Sequence, residues 1–387
     1  MPDLPTVLVV IGTRPEGIKL APVIRALRER GGEVSTRVAL TGQHSTLMDQ
    51  VLEVFGLTPE HDLGIMREGQ SLYDVAHGTL DGLRDIVQAN RTDIILVQGD
   101  TASVFFGALV GFFERVPVGH VEAGLRSNDK WQPYPEEIFR RSTSVVADLH
   151  FAPTRGAQEN LRAEHVPEDQ IFLTGNTVVD ALKLMYEHPH EPGNAGLKRA
   201  IETGKRLVLV TAHRRESFGA PLREAFTAIR DLADRFESVV FLYPVHPNPE
   251  VRTAAKEVLA DHPRIILTEP MDYLDLVFAL KHATFALTDS GGIQEEAPTF
   301  RVPVLVMREV TERPEGVAAG VATLVGTDRE RIIDEGTKLL TERRTGYAPL
   351  SHLSNNPYGD GWAGHRIADI VIHRLTGAPR QYKDWKP

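Results

Sequence analysis

Short β-rich runs alternate with longer helical patterns along almost the whole chain, and that alternation leaves few folds open. In the first half, TVLVVI, VSTRVAL, DIILVQ, VPVGHVEA and DLHFAPT read as strands. Helical patterns cover residues 18–30, 45–55 and 103–114. The second half repeats the theme with RLVLVTA, a helix over 221–235, then SVVFLYPV, RIILTEP, FALTDS and VPVLVM. Strands separated by helices pair in parallel through right-handed crossovers, so the predicted class is α/β, with doubly wound sheets covered on both faces.

A chain of 387 residues is too long for one ordinary core. The Pro-, Gly- and His-rich stretch YEHPHEPGNAG, residues 186–196, reads as a loop soon after a junction near Gly175. The expected organisation is therefore residues 1–175 as one Rossmann-like domain and 176–363 as a second, nucleotide-binding one. A C-terminal helix at about 364–387 is expected to pack back on the first domain. Sheets of this kind take ligands beyond the carboxyl ends of their strands, and an interdomain cleft is the expected site.

The bulk numbers exclude several classes. A net charge of −10 argues against nucleic acid or an acidic membrane as partner. An anionic ligand would need clustered arginines. The absence of cysteine removes disulfides, thiolate metal sites and a cysteine nucleophile, and fits a reducing compartment. The run Val7 to Ile11 is too short for a secretory leader, and VFFGALVGFF is half a membrane span and reads as a buried helix. The expected location is the cytoplasm.

The opening GTRPEGIK is a near miss for a phosphate loop. Gly12 and Gly17 have the right spacing, but Ile18 follows Gly17 and no hydroxyl follows Lys19. Pro15 suits the first turn of a helix. Arg14 then lies at the mouth of the turn and Lys19 about one turn inside, both placed to meet an anion. The alternative is an Arg14–Glu16 surface pair.

LTDSGGIQEEAP is the strongest local signal. A strand ends at Asp289, Ser290-Gly291-Gly292 turn with open amides, and a helix begins near Ile293. Open amides at the positive end of a helix bind phosphate, and Glu295 or Glu296 in the first turn suits ribose hydroxyls. Arg308 and Arg313 follow the next strand and suit a diphosphate, with surface salt bridging as the alternative for Arg308. Other strand ends carry Asp100; Glu122 with Arg126; Glu136, Glu137, Arg140 and Arg141; and His213, Arg214, Arg215 and Glu216. Crowded carboxylates separate into acid and base roles. No GxGxxG, HExxH or GxSxG occurs, and His44, His120, His213 and His246 lack ligand spacing, so neither cofactor nor metal is expected.

Taken in order, GTRPE, TGQH, GDT, GHVEAGLR, PEE, FAPT, TGNTVVDAL, HRRESFG, LTDSGGIQEEAP, VLVMREVTERPE and NPYGDG resemble the bacterial non-hydrolysing UDP-N-acetylglucosamine 2-epimerases across nearly the whole chain. The resemblance implies a glycosyltransferase-B-like pair of Rossmann domains interconverting UDP-N-acetylglucosamine and UDP-N-acetylmannosamine. It implies that Arg14, Lys19, His213, Ser290, Gly291, Gly292 and Arg313 meet the UDP, with Glu296 on the ribose. Asp100, Glu122 and Glu136 would be the acid–base groups, with Arg140 and His213 steadying charge. It also implies an activating second UDP-N-acetylglucosamine beside Gln43, His44, Gln70, Glu136, Arg214 and His246, and a homodimer. The chain departs from the family's usual pattern with Phe139 for asparagine, Arg301 for glycine, Ser45-Thr46 after TGQH, Gly69 where some members have arginine, and Gly17 for a helical alanine. A hydrolysing epimerase or a glycosyltransferase shares the expected fold, and a non-catalytic UDP-sugar binder remains a third reading.

Overall fold

The computed structural model describes residues 4–42, 46–65, 67, 69–186, 188–341 and 356–387. Its contacts divide the chain into two compact units, Met1–Ala181 with Tyr358–Pro387, and Leu182–Pro357. The expected junction at Gly175 lies six residues before that division, which falls inside the helix Thr177–Tyr186.

The first unit holds β1 (Thr6–Ile11), β2 (Ser35–Leu40), β3 (His61–Asp62), β4 (Ile94–Gln98), β5 (Val118–Val121), β6 (Leu149–Ala152) and β7 (Ile171–Leu173). They form a parallel sheet in the order β3-β2-β1-β4-β5-β6-β7. Every residue of β1 and β4 is buried, as strands covered by helices on both faces must be. The second unit holds β8 (Arg206–Thr211), β9 (Val239–Pro244), β10 (Ile265–Thr268), β11 (Ala283–Thr288), β12 (Val304–Val306) and β13 (Ala322–Leu324). Their order is β10-β9-β8-β11-β12-β13, again parallel. The predicted α/β class with two doubly wound sheets is what the chain adopts. Strands β3, β7 and β13 were not expected.

Both sheets reverse their winding at one place, β1/β4 in the first unit and β8/β11 in the second. At such a switch point the two following loops part and leave a crevice outside the strand ends. The fold thereby selects four loops, those after β1, β4, β8 and β11, as the places where ligands meet this backbone.

The C-terminal helix Ala363–Thr376 packs on helix Arg14–Glu29 of the first unit. Gly364 permits that contact: a Cβ there would lie 2.8 Å from the Pro22 carbonyl carbon. The buried Asp180 carboxyl accepts from Gly364 N at 2.8 Å, and Arg30 pairs with the buried Asp369 at 2.8 Å. Helix Ala102–Glu114, expected to be buried, is so along Val104, Ala108 and Val110, but Phe112 and Phe113 at its end are each 61% exposed. Among the described residues no helix is long and apolar enough to cross a membrane.

Candidate active site

The loop after β1 is shaped by Glu16. Pro15 sits in the first turn of helix Arg14–Glu29, as the sequence suggested, and Thr13 is its N-cap residue without capping through its side chain. The Thr13 hydroxyl instead donates to Glu16 at 2.8 Å, Gly12 N donates to the other Glu16 oxygen at 2.6 Å, and the Thr101 hydroxyl joins at 2.8 Å. The alternative of an Arg14–Glu16 surface pair is thus corrected. Glu16 is only 2% exposed, and its donors are two turns rather than Arg14. Burial pushes its carboxyl up to about 7 against those donors, which act the other way. Gly12 has to be glycine, because a Cβ there would lie 2.4 Å from Ser103 Oγ. Arg14 lies half-buried at the mouth of this turn.

Two more strand ends of the first unit bring charges together. Lys19 Nζ pairs with Glu122 after β5, and Gln98 and Asn176 also donate to Glu122. Glu122 itself has a left-handed backbone, φ 66°. Asp100 pairs with Arg140, whose other terminal nitrogen lies 3.5 Å from the fully buried Glu137. Glu137 also accepts from Ser127 N and Asn128 N, fixing the loop ahead of helix Glu136–Val146. The half-buried Glu136 keeps one oxygen, Oε2, shielded from solvent and without a hydrogen-bond partner. Asp100 and Glu122 therefore follow the adjacent strands β4 and β5, each paired with a cation from a helix. Arg126, expected beside Glu122, points elsewhere, into a paired contact with Glu164 and Ser144.

Two groups here were given no role in the site by the sequence. His120 on β5 is buried and lies 2.8 Å from the Gly99 carbonyl, bracing the residue before Asp100. Burial pushes it down to about 3, so it is neutral and holds that carbonyl as an N–H donor. Phe139, the departure beside Arg140, stacks with Phe105 at 5.6 Å and meets Phe106 at 5.9 Å, so aromatic packing lies against one face of the arginine's helix.

In the second unit, His213 follows β8 and Asp289 follows β11, across the switch point. His213 Nδ1 lies 2.9 Å from Asp289 Oδ1, and the amides of His213 and Arg214 donate to Asp289 Oδ2. Asp289 is held below its usual range: burial opposes ionisation, and His213 with the two amides outweighs it. The His246 ring, after β9, stacks 5.7 Å from that of His213.

Ser290 is the N-cap residue of helix Gly291–Glu296, and its amide bonds Thr288 Oγ1 at 2.9 Å. Gly291 lies against the Arg313 guanidinium, to which a Cβ would come within 3.3 Å. The sequence reading put Glu295 and Glu296 in the first turn of a helix starting near Ile293. The helix starts at Gly291, so both fall in its second turn. Glu295 anchors Arg313 at 2.7 Å, while Glu296 accepts from Tyr273 OH at 3.1 Å. Arg308 forms a double contact with Glu312, the alternative recognised in the sequence. Burial raises the Glu312 carboxyl and Arg308 overrides it, leaving the group at about 2.

Of the residues grouped around a second ligand, Gln43 and His44 lie outside the described residues. Gln70 bonds Arg67 N and Ile65 O, closing its own loop. One group of histidine and carboxylates, His190, Asp272 and Asp275, has its ligand atoms close together among the described residues. Asp275 there already accepts from His190, Gly193 N and Asn194 N, which makes it a latch for the loop at 188–194.

The family profile described as UDP-N-acetylglucosamine 2-epimerase matches residues 25–372. UDP-N-acetylglucosamine 2-epimerase of Yersinia pestis is 46% identical over 376 residues, covering 96% of this chain and 99% of that protein. The Escherichia coli K12 enzyme of the same name is 44% identical, over 94% and 98% of the two chains. Among solved structures, S. aureus MnaA with UDP aligns with a TM-score of 0.85 at 40% identity, over 99% of this chain and all of that one. The Neisseria meningitidis UDP-GlcNAc 2-epimerase bound to UDP-GlcNAc aligns with a TM-score of 0.81 at 38% identity, over 96% and 100%. The chain belongs to the UDP-N-acetylglucosamine 2-epimerase family.

Proposed function

We propose that this protein interconverts UDP-N-acetylglucosamine and UDP-N-acetylmannosamine without net hydrolysis. The hydrogen on carbon 2 of the sugar is not beside a carbonyl, so simple deprotonation is too costly. Elimination provides the route. A base takes the carbon 2 proton, the C2–H electron pair forms the C1=C2 double bond, and the C1–O bond breaks with its electrons leaving on UDP. The intermediate is 2-acetamidoglucal. UDP oxygen then re-adds to carbon 1 while an acid delivers a proton to the other face of carbon 2.

The observation that carries the reading is the pairing of Asp100 with Arg140 and of Glu122 with Lys19 on adjacent strand ends. The two carboxylates are thereby held in fixed positions beside cations, where a reacting group can meet them. In this reading Asp100, Glu122 and Glu136 are the acid–base groups. Arg14, Lys19, His213, Ser290, Gly291, Gly292 and Arg313 hold the diphosphate, and Glu296 the ribose. The S. aureus and N. meningitidis structures, which hold UDP and UDP-GlcNAc, support a UDP-sugar as the ligand. An activating second UDP-N-acetylglucosamine near Arg214 and His246, a homodimer and a cytoplasmic location belong to the same proposal.

Product analysis tests it. Started from either UDP-sugar, the reaction is expected to reach one common mixture of the two. Stoichiometric build-up of free UDP and N-acetylmannosamine would instead identify a hydrolysing enzyme.

A further inference from the structure

Asp289 does more than end a strand. It is 1% exposed, yet two amide donors and a ring nitrogen converge on it from the loop after β8, 75 or 76 positions away in sequence. Oδ2 accepts from His213 N at 2.7 Å and Arg214 N at 2.8 Å. Oδ1 lies 2.9 Å from His213 Nδ1, on a bent approach. From β9, His246 stacks on the His213 ring, and its own Nδ1 accepts from Asn248 N at 3.2 Å.

We infer that Asp289 is a positioning residue that confines proton exchange on His213 to Nε2. A carboxylate oxygen at this distance repels a ring lone pair, so Nδ1 carries a hydrogen in both charge states of the imidazole. Nε2, on the far side of the ring from Asp289, is then the position that gains and loses a proton. His246 is held the opposite way: an amide hydrogen occupies its Nδ1, so the neutral ring carries its proton at Nε2. The two stacked rings thus offer complementary Nε2 atoms, one exchanging and one a standing donor. Where the elimination proposed above holds, Nε2 of His213 in its protonated form donates to the departing diphosphate oxygen.

Asp289→Asn separates this role from simple support. Two backbone amides already claim one oxygen of residue 289, so the asparagine oxygen stays with them and its NH2 group faces Nδ1. Nδ1 must then accept, and the proton moves to Nε2. In histidine-15N-labelled wild type, long-range 15N–1H correlation is expected to show the neutral His213 ring carrying its hydrogen at Nδ1 and not at Nε2. The variant is expected to exchange the two assignments at unchanged fold. Its kcat with UDP-N-acetylglucosamine should fall at least about 100-fold. KM should stay within about threefold. An unprotonated Nδ1 in the wild type, or a variant with the wild-type ring pattern, overturns the inference. If the variant does not fold, the wild-type spectrum decides alone. A wild type with the expected ring pattern but no epimerase activity supports the ring assignment and counts against the epimerase reading instead.

Discussion

Glu16 and Thr101 stand 85 positions apart in the chain and 2.8 Å apart in the fold, where the threonine hydroxyl donates to the Glu16 carboxyl. The same carboxyl takes the Thr13 hydroxyl and Gly12 N. Thr13 and Thr101 are the N-cap residues of the two helices that leave β1 and β4, and neither caps its own helix with its side chain. One buried group thereby ties together the two loops of the first unit's switch point, the loops that carry Arg14 and Asp100. Glu16→Ala leaves three donors without an acceptor and is expected to cost about 1–3 kcal/mol, read by thermal or urea unfolding.

Glu16 also sets a pH dependence. Its carboxyl is raised to about 7 by burial, so the folded state holds the proton more tightly than the unfolded chain. The stability this confers is complete below the unfolded value of about 4.5 and is lost as pH rises through about 7. Glu16→Gln does not titrate. The stability of wild type relative to this variant should therefore decline from about pH 5 to 8, measured by paired unfolding curves. A flat difference would mean that the three donors, not burial, govern the group.

Arg301 adopts φ 57°, in the left-handed region that disfavours side chains with a Cβ. This is the position where an arginine replaces the glycine usual after the EEAP segment. Arg301 is exposed and sits at the end of a short helical turn, so removing its side chain empties no core. Arg301→Gly is expected to stabilise the protein by about 1 kcal/mol, the left-handed penalty less the extra freedom of glycine when unfolded. For a unit of this size that is a rise in melting temperature of about 2–4 °C.

Glu122 has Lys19, Gln98 and Asn176 as donors, and so does not depend on one partner for its place. Glu122→Gln keeps the shape and removes the charge. If Glu122 exchanges the carbon 2 proton or its counterpart, kcat should fall about 10²–10⁴-fold. Calorimetric affinity for UDP should change by less than about threefold, since Glu122 is not among the residues assigned to the nucleotide. Arg140→Lys tests the neighbouring pair: it keeps the charge on Asp100 but loses the fork that also reaches Glu137, and kcat should fall about 10–100-fold.

The sequence made the long, buried strands and the loops after them legible, because runs such as TVLVVI and DIILVQ have no other use in an α/β chain. Strands β3, β7 and β13 are two or three residues long, too short to show a period, and β12, equally short, was legible only through the longer apolar run VPVLVM. Glu16 read as a surface group because its partner Thr101 becomes a neighbour only when β4 docks beside β1. Asp289 was visible as a strand end, but its hold on His213 exists only once β11 lies beside β8. The motif DSGG contained that residue all along. Single-residue burial and cross-strand pairing follow from strand order, which local pattern does not encode.

The central claim is a sugar that is briefly unsaturated between carbons 1 and 2. Its most direct test is a proton NMR time course with UDP-N-acetylglucosamine in deuterated buffer. The account requires the carbon 2 proton signal to disappear from the UDP-N-acetylmannosamine formed, with deuterium in its place and both UDP-sugars persisting at equilibrium. Product that keeps its original carbon 2 proton would contradict it.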